Sequence, residues 1–215
     1  MSGPDPGRAA RHALRIGITG PIGCGKSTIA RWLGERPGVV VVDADQVARE
    51  VLNPGEPALD FVVARFGHGL LLDDGFLDRA ALGRVVFADA GALADLEAIV
   101  HPVVRPRILA ALAAADAAGA VAVIVEAIKL VEGGLADLCD EVWLVTCDPA
   151  VQRARIVSRG SSLPDADLRI AAQGHLAERL HPTATRTIET SGGPDQTRRL
   201  AELALDASLE AHRAP

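Results

Sequence analysis

The 215-residue sequence predicts an α/β fold in three layers, α/β/α, with a parallel five-stranded sheet, a helical insertion and a helical lid. Three observations predict it. Short apolar runs alternate with helix-period segments, the pattern of βαβ units that assemble a parallel sheet. The first run leads into a glycine-dense loop and then a helix. Residues 43–119 carry helical spacing but no strong strand, far more chain than one crossover helix needs.

The elements follow in order. Leu14–Thr19 reads as a short buried strand. The run Gly20-Pro21-Ile22-Gly23-Cys24-Gly25-Lys26-Ser27-Thr28 fits G-x-x-x-x-G-K-[ST], a loop whose backbone N–H groups wrap a polyphosphate. Ile29-Ala30-Arg31-Trp32-Leu33 continues as a helix, whose N-terminus adds unpaired N–H groups and a positive dipole end. The chain has two lysines, Lys26 and Lys129, against twenty arginines. Lys26 is the one the loop requires, a compact point charge whose role a planar guanidinium fills badly.

The second strand, Val39–Val42, ends at Asp43-Ala44-Asp45. Helical spacing of Leu, Val and Ala recurs over Pro57–Phe66, Asp78–Phe87, Ala92–Val100 and Val103–Ala118, and the alanine-rich Leu109–Ala122 reads as plain helix. His101 and His181 each precede a proline and read as turn markers. The third strand is Ala120–Val125, closed by Glu126; the fourth is Glu141–Val145; the fifth, more polar, is Thr185–Thr190. A helix from Pro149 through Gln152 and Arg155 to Arg159, the turn Gly160 to Asp165, and a second helix from near Asp165 suit a mobile lid, about residues 155–170. Residues 1–12 read as a flexible extension. Residues 13–215 read as one domain, with its core in 13–53 and 120–215 and the insertion at about 54–119.

Composition narrows the function. A chain 49% hydrophobic and 23% charged is that of a globular protein. No apolar run is expected to span a membrane, and residues 1–12 lack the apolar stretch of a secretory signal, so a cytoplasmic location without a membrane partner is expected. A net charge of −6 argues against a nucleic-acid partner. Positive charge is instead concentrated at Arg153, Arg155, Arg159, Arg169, Arg179 and Arg186. Cys24, Cys139 and Cys147 form neither a paired framework nor a C-x-x-C metal spacing. Cys24 lies near a helix N-terminus, a position that can lower a thiol pKa and open it to oxidation. Nothing in the sequence sets the oligomeric state.

Phosphoryl transfer asks for a phosphate cradle, Mg²⁺, a group that orients the acceptor hydroxyl, and cations for developing charge. Ser27 is the candidate to place a hydroxyl on Mg²⁺. Asp43 and Asp45 stand at the C-terminal end of a strand, where open α/β sheets bind ligands. Either one faces the reacting centre while the other caps the next helix, or both are turn and cap residues. Glu126 orients a Mg²⁺-bound water or substrate, or is an ordinary end-of-strand acid. Lys129 meets an anionic partner, or packs its stem while its head reaches water.

Together these residues resemble the dephospho-CoA kinase family, within the P-loop, nucleoside-monophosphate-kinase-like group. The resemblance is carried by Gly17 to Thr28, by Val42-Asp43-Ala44-Asp45-Gln46-Val47-Ala48-Arg49-Glu50-Val51 with Pro54-Gly55, and by Phe66-Gly67. It continues through Leu77, Arg79 and Leu82 before Val86-Phe87, His101-Pro102-Val103, then Gln152, Arg155, Arg159, Arg169-Ile170 and Gln173. It implies transfer of the ATP γ-phosphate to the ribose 3′-hydroxyl of dephospho-CoA, with Mg²⁺. By position it implies that Gly23, Cys24, Gly25, Lys26, Ser27 and Thr28 hold the ATP phosphates and that Arg155 and Arg159 are lid cations over ATP; Ser27 by its place in the loop, and Asp43 as a structural or outer-sphere group, are the candidates for the metal. Asp45 is then the general base or acceptor-orienting acid, Arg155 joins Lys26 as a catalytic cation, and the insertion around His101 holds the CoA moiety; Glu126 and Lys129 are candidates to face dephospho-CoA on the reading of the residues alone. Three departures stand out. Glu126 to Glu132 replaces the usual Pro-Leu-Leu-acid run, and Thr190 stands where the family tends to carry an asparagine near the adenine. Pro21 and Cys24 replace the usual Gly and Ser of the loop. Two other readings fit the loop alone: a kinase of another nucleotide or small metabolite, and a nucleotide-dependent switch with little turnover. The switch would usually bring a guanine-reading N-K-x-D, which is absent from the sequence.

Overall fold

Strand β1 (Leu14–Thr19) lies at the centre of the sheet, because a run apolar on both faces can only be buried between two layers. The computed structural model of the chain describes residues 12–214, so the expected N-terminal extension lies outside the described residues apart from His12. The five strands lie in the order β2 (Val39–Asp43), β3 (Ala122–Glu126), β1, β4 (Glu141–Thr146), β5 (Arg186–Glu189). β1 pairs in parallel with β3 on one side and β4 on the other, and β4 pairs in parallel with β5. The chain therefore leaves β1 toward one edge and later returns to its other side. The ligand crevice of such a sheet opens at this reversal, beyond the strand C-termini.

Period-2 alternation assigns the two faces. Ile16, Ile18, Ile124, Trp143 and Val145 pack with Ile29, Ala30 and Leu33 of α1 (Lys26–Gly34) and with residues of the C-terminal helix Pro194–Arg213. That helix contributes Ala201, Ala204, Leu205 and Leu209, spaced as one helical face. Leu144 points to the opposite face and packs with Leu176 and Leu180 of the short helix Leu176–Leu180. Truncating a fully buried member such as Leu205 to alanine is expected to cost about 2–5 kcal/mol.

The chain divides into two compact units, residues 12–42 with 112–214, and residues 43–111. The second holds α2 (Ala44–Glu50), α3 (Pro57–Phe66) and α4 (Arg79–Ala88), stitched by ion pairs Arg65–Asp95 (2.5 Å) and Arg107–Glu56 (2.5 Å). Arg79 donates to the Arg49 carbonyl (2.7 Å). After it comes α5 (Ala90–Ala117), which corrects two expectations. The two helices expected on either side of His101 are one, continuing through Pro102 and Pro106. Each proline removes a backbone hydrogen bond. Burial of Val100, Val104, Ile108, Leu112 and Ala115 at helical spacing favours continuity nonetheless. His101 is therefore a mid-helix residue. α5 is also long and apolar enough, by length and composition, to cross a membrane (mean hydropathy 1.4), contrary to the expectation that no such run exists. Its buried stripe and its central Arg105 and Arg107, each costing about 3 kcal/mol at a bilayer centre, fit a packed helix better.

The remaining helices are α6 (Pro149–Ser158), α7 (Leu163–Gln173), α8 (Leu176–Leu180) and α9 (Pro194–Arg213). α7 starts before Asp165 because the Ser162 hydroxyl caps it, accepting from Asp165 N (3.3 Å). β5 stops at Glu189, but Thr190 N still donates to Thr146 O (3.0 Å).

Candidate active site

The site begins where β1 ends. At Gly20 the backbone runs so close to β4 that a Cβ would lie 2.1 Å from the Val145 carbonyl oxygen. Gly25 takes φ +97° as the residue before α1 and offers no side-chain cap, so the first N–H groups of the helix are left without one, the arrangement in which helix N-termini can bind anions. Lys26 is buried, and its ammonium donates to the carbonyls of Gly20 (2.9 Å) and Pro21 (3.1 Å). A buried cation needs such partners, and these hold it within the loop.

Ile22 is gripped from both sides. Its N–H donates to Gln173 Oε1 (2.8 Å) from α7, and its carbonyl accepts from Gln152 Nε2 (2.8 Å) of α6. Sequence reasoning noted both glutamines by spacing and missed the clamp, since nothing local marks an amide 130 or 151 residues away as a loop support.

Ser27 and Glu126 meet. The serine hydroxyl donates to Glu126 Oε1 at 2.5 Å, and the carboxylate is buried at the end of β3. A hydroxyl and a carboxylate are the oxygen donors a hard cation prefers, so these residues fit Mg²⁺, which commonly takes few protein ligands and fills the rest with phosphate and water. Among the described residues no group of three or more His, Cys, Asp or Glu is placed to hold a metal.

Asp43 caps α2: Oδ1 accepts from Gln46 N (2.8 Å), and Oδ2 lies 3.7 Å from Arg49 Nη2. Asp45 occupies the first turn of the same helix, half-buried. Lys129 is exposed on the turn after β3, so a buried ammonium there is ruled out. That turn is pinned by Thr19 Oγ1, which donates to Ile128 O (3.0 Å).

Beside the loop lies a cavity of about 410 Å³. Gly25, Thr28, Trp32, Arg155, Arg159 and Thr190 are among the residues that line it. Arg155 donates from Nη1 to Thr190 Oγ1 (2.8 Å) and from Nη2 to Thr190 O (2.6 Å). Arg159 is exposed at the C-terminal end of α6.

The thiols reverse an expectation. Cys24 faces the core, not the helix N-terminus. Its hydrogen bond with Cys147 and its burial push its pKa up. Cys147 takes the opposite shift, held below the usual thiol range by that hydrogen bond and by Arg155, against its own burial. Burial pushes Cys139 up to about 12. All three are free thiols.

The dephospho-CoA kinase family model matches residues 14–195. The dephospho-CoA kinase of Symbiobacterium thermophilum is 43% identical over 194 residues, covering 90% of this chain and 80% of that protein. That of Streptomyces avermitilis is 49% identical over 170 residues, covering 78% and 80%. Among solved structures, the dephospho-CoA kinase from Campylobacter jejuni superposes with a TM-score of 0.67 at 26% identity, covering 92% of this chain and 98% of that one. A match running from β1 into α9, with relatives this similar across most of their own length, settles membership: the chain belongs to the dephospho-CoA kinase family and is a P-loop kinase.

Proposed function

We propose that the protein transfers the γ-phosphoryl group of ATP to the ribose 3′-hydroxyl of dephospho-CoA, completing coenzyme A. The observation that carries the reading is the loop itself, where an uncapped helix N-terminus, Lys26 and the Ser27–Glu126 pair lie together and would form one anion site. Gly23 to Thr28 would bind the ATP phosphates, with Arg159 at the cavity rim. Ser27 would hold Mg²⁺ with Glu126 beside it, and Asp43 would support α2. When bound, the ion would neutralise charge on the β- and γ-phosphates.

Asp45 would accept or orient the proton of the 3′-hydroxyl. As that oxygen bonds to the γ-phosphorus, the bond to the bridging oxygen of ADP breaks with its electron pair left on ADP, and the negative charge is shared between that leaving oxygen and the γ-oxygens. Lys26, the loop N–H groups and Arg155 would neutralise it. Such a loose transition state rewards positioning more than basicity. The helical segment at about 54–119, with His101, and the exposed Lys129 are proposed to hold the CoA moiety. Residues 155–170 are proposed as a lid that limits hydrolysis. Three free thiols suit the reducing cytoplasm.

The test is ADP production from ATP and Mg²⁺ with dephospho-CoA, beside AMP, CMP and shikimate. Turnover with dephospho-CoA far above the others is expected. A better acceptor among the alternatives, or slow hydrolysis indifferent to every acceptor, overturns the proposal.

A further inference from the structure

Thr190 departs from the family pattern, and its surroundings give the departure a purpose. It is almost fully buried, just past β5. Its hydroxyl proton is shared between the carbonyls of Cys24 in the phosphate loop (2.8 Å) and Thr146 at the end of β4 (3.1 Å). The same oxygen accepts from Arg155 Nη1, and the Thr190 main-chain carbonyl accepts from Arg155 Nη2. One residue thus takes both prongs of the guanidinium fork while gripping the loop. A Cβ built on Gly25 would lie 3.8 Å from both Arg155 Nη1 and Thr190 Oγ1, so this junction adjoins the start of α1. Two of the five guanidinium N–H groups are used here, and three are left for phosphate oxygens.

We infer that Thr190 is a positioning residue, which fixes the plane and reach of Arg155 relative to the phosphate loop and so sets the rate of phosphoryl transfer. The inference rests on the reading of Arg155 as a cation for the transferring phosphate. A single hydroxyl suits the task because it donates to the loop and accepts from the arginine at once. Valine keeps the shape and loses both functions; serine keeps both.

The experiment is a double-mutant cycle in steady-state kinetics with ATP and dephospho-CoA, with a thermal melt of each variant. Wild-type turnover is measured first, so failure of the kinase reading shows there and is not confused with failure of this one. Thr190→Val is expected to lower kcat by about 10- to 100-fold, the cost of a misplaced catalytic group, with little change in the KM for ATP. Thr190→Ser is expected to restore it. In an Arg155→Ala background, Thr190→Val is expected to cost nothing further, because the group it positions is gone. If the valine variant is melted at the assay temperature, Thr190→Ala takes its place in the same cycle. Undiminished kcat in the variant lacking the hydroxyl, or an equal loss with and without Arg155, overturns the inference and leaves Thr190 as loop packing.

Discussion

The phosphate loop and α7 lie side by side and are built by opposite rules. The loop is closed by bonds to buried or half-buried groups: Lys26 to its own carbonyls, Gln152 and Gln173 to Ile22, and Thr190 to Cys24. α7 buries little beyond Ala166 and exposes Leu163 and Leu168. Its ties are the surface ion pair Arg153–Asp167 and the single amide of Gln173. A cradle for a loose transition state must not move, whereas a cover must. The difference in bonding is what the proposed lid over residues 155–170 would require.

The comparison breaks hardest at Lys26. Lys26→Ala is expected to lower turnover by a factor on the order of thousands, as for loss of a key transition-state cation. Unfolding measurements should show a loss of only about 1–2 kcal/mol, from the two loop carbonyls left without their donor. Lys26→Arg should rescue little, since its fork does not match a point-charge site. Near-normal kinetics for Lys26→Ala would remove the loop from the reaction.

Next comes Asp45. Asp45→Asn is expected to depress kcat by about 10²- to 10⁴-fold while ATP binding, followed by titration calorimetry, stays close to wild type. Asp43→Asn should change little, because asparagine caps a helix about as well as aspartate and its Oδ1 can still accept from Gln46 N, whereas Asp43→Ala should cost about 1 kcal/mol of stability through α2. If Asp43→Asn proves the more damaging to kcat, the two roles are exchanged.

What the sequence made legible follows the same divide. Where local chemistry sets structure, it read through: the strand, loop and helix from Leu14 to Leu33, and a carboxylate cap on the helix after β2, although only the structure assigns that cap to Asp43. Where long-range packing decides, it did not. The helix through Pro102 and Pro106 persists because of a buried stripe whose partners are distant in sequence. The Cys24 pKa moves up because the thiol faces the core and Cys147, which no loop motif announces. Glu126 was visible as an end-of-strand acid, but its bond to Ser27 joins residues 99 apart. Lys129 could be read as meeting an anionic partner or as reaching water, and its exposure on the turn after β3 removes only the buried form of the first reading.

A finer probe is the bond by which α7 touches the phosphate loop. Gln173→Leu removes the acceptor of Ile22 N–H without altering the loop sequence. One such bond is worth about 1 kcal/mol, so the KM for ATP should rise about fivefold and kcat should fall less. Hydrogen exchange at Ile22 should quicken in the free protein. Across residues 155–170, exchange in the wild type should slow when ATP and an acceptor analogue bind together. Unchanged protection there would mean that the proposed lid does not close.

The smallest effect belongs to the exposed side of α7. The hydrogen bond from Arg153 holds the Asp167 carboxyl below the usual carboxylate range. A depressed folded-state pKa means that the pair's stabilisation is complete above the unfolded-state value, about 3.9, and disappears as pH falls through the lower folded value. Both partners are solvent-exposed, so screening leaves little even at neutral pH. Asp167→Asn should therefore shift Tm at pH 7 by no more than about 1 °C, less in high salt, and the difference should vanish as the medium is made more acidic than pH 3.9. Scanning calorimetry at two pH values and two salt concentrations reads this directly. A large, salt-insensitive loss at pH 7 would show that α7 is anchored as firmly as the loop, and the contrast between a fixed cradle and a movable cover would fail at its weakest joint.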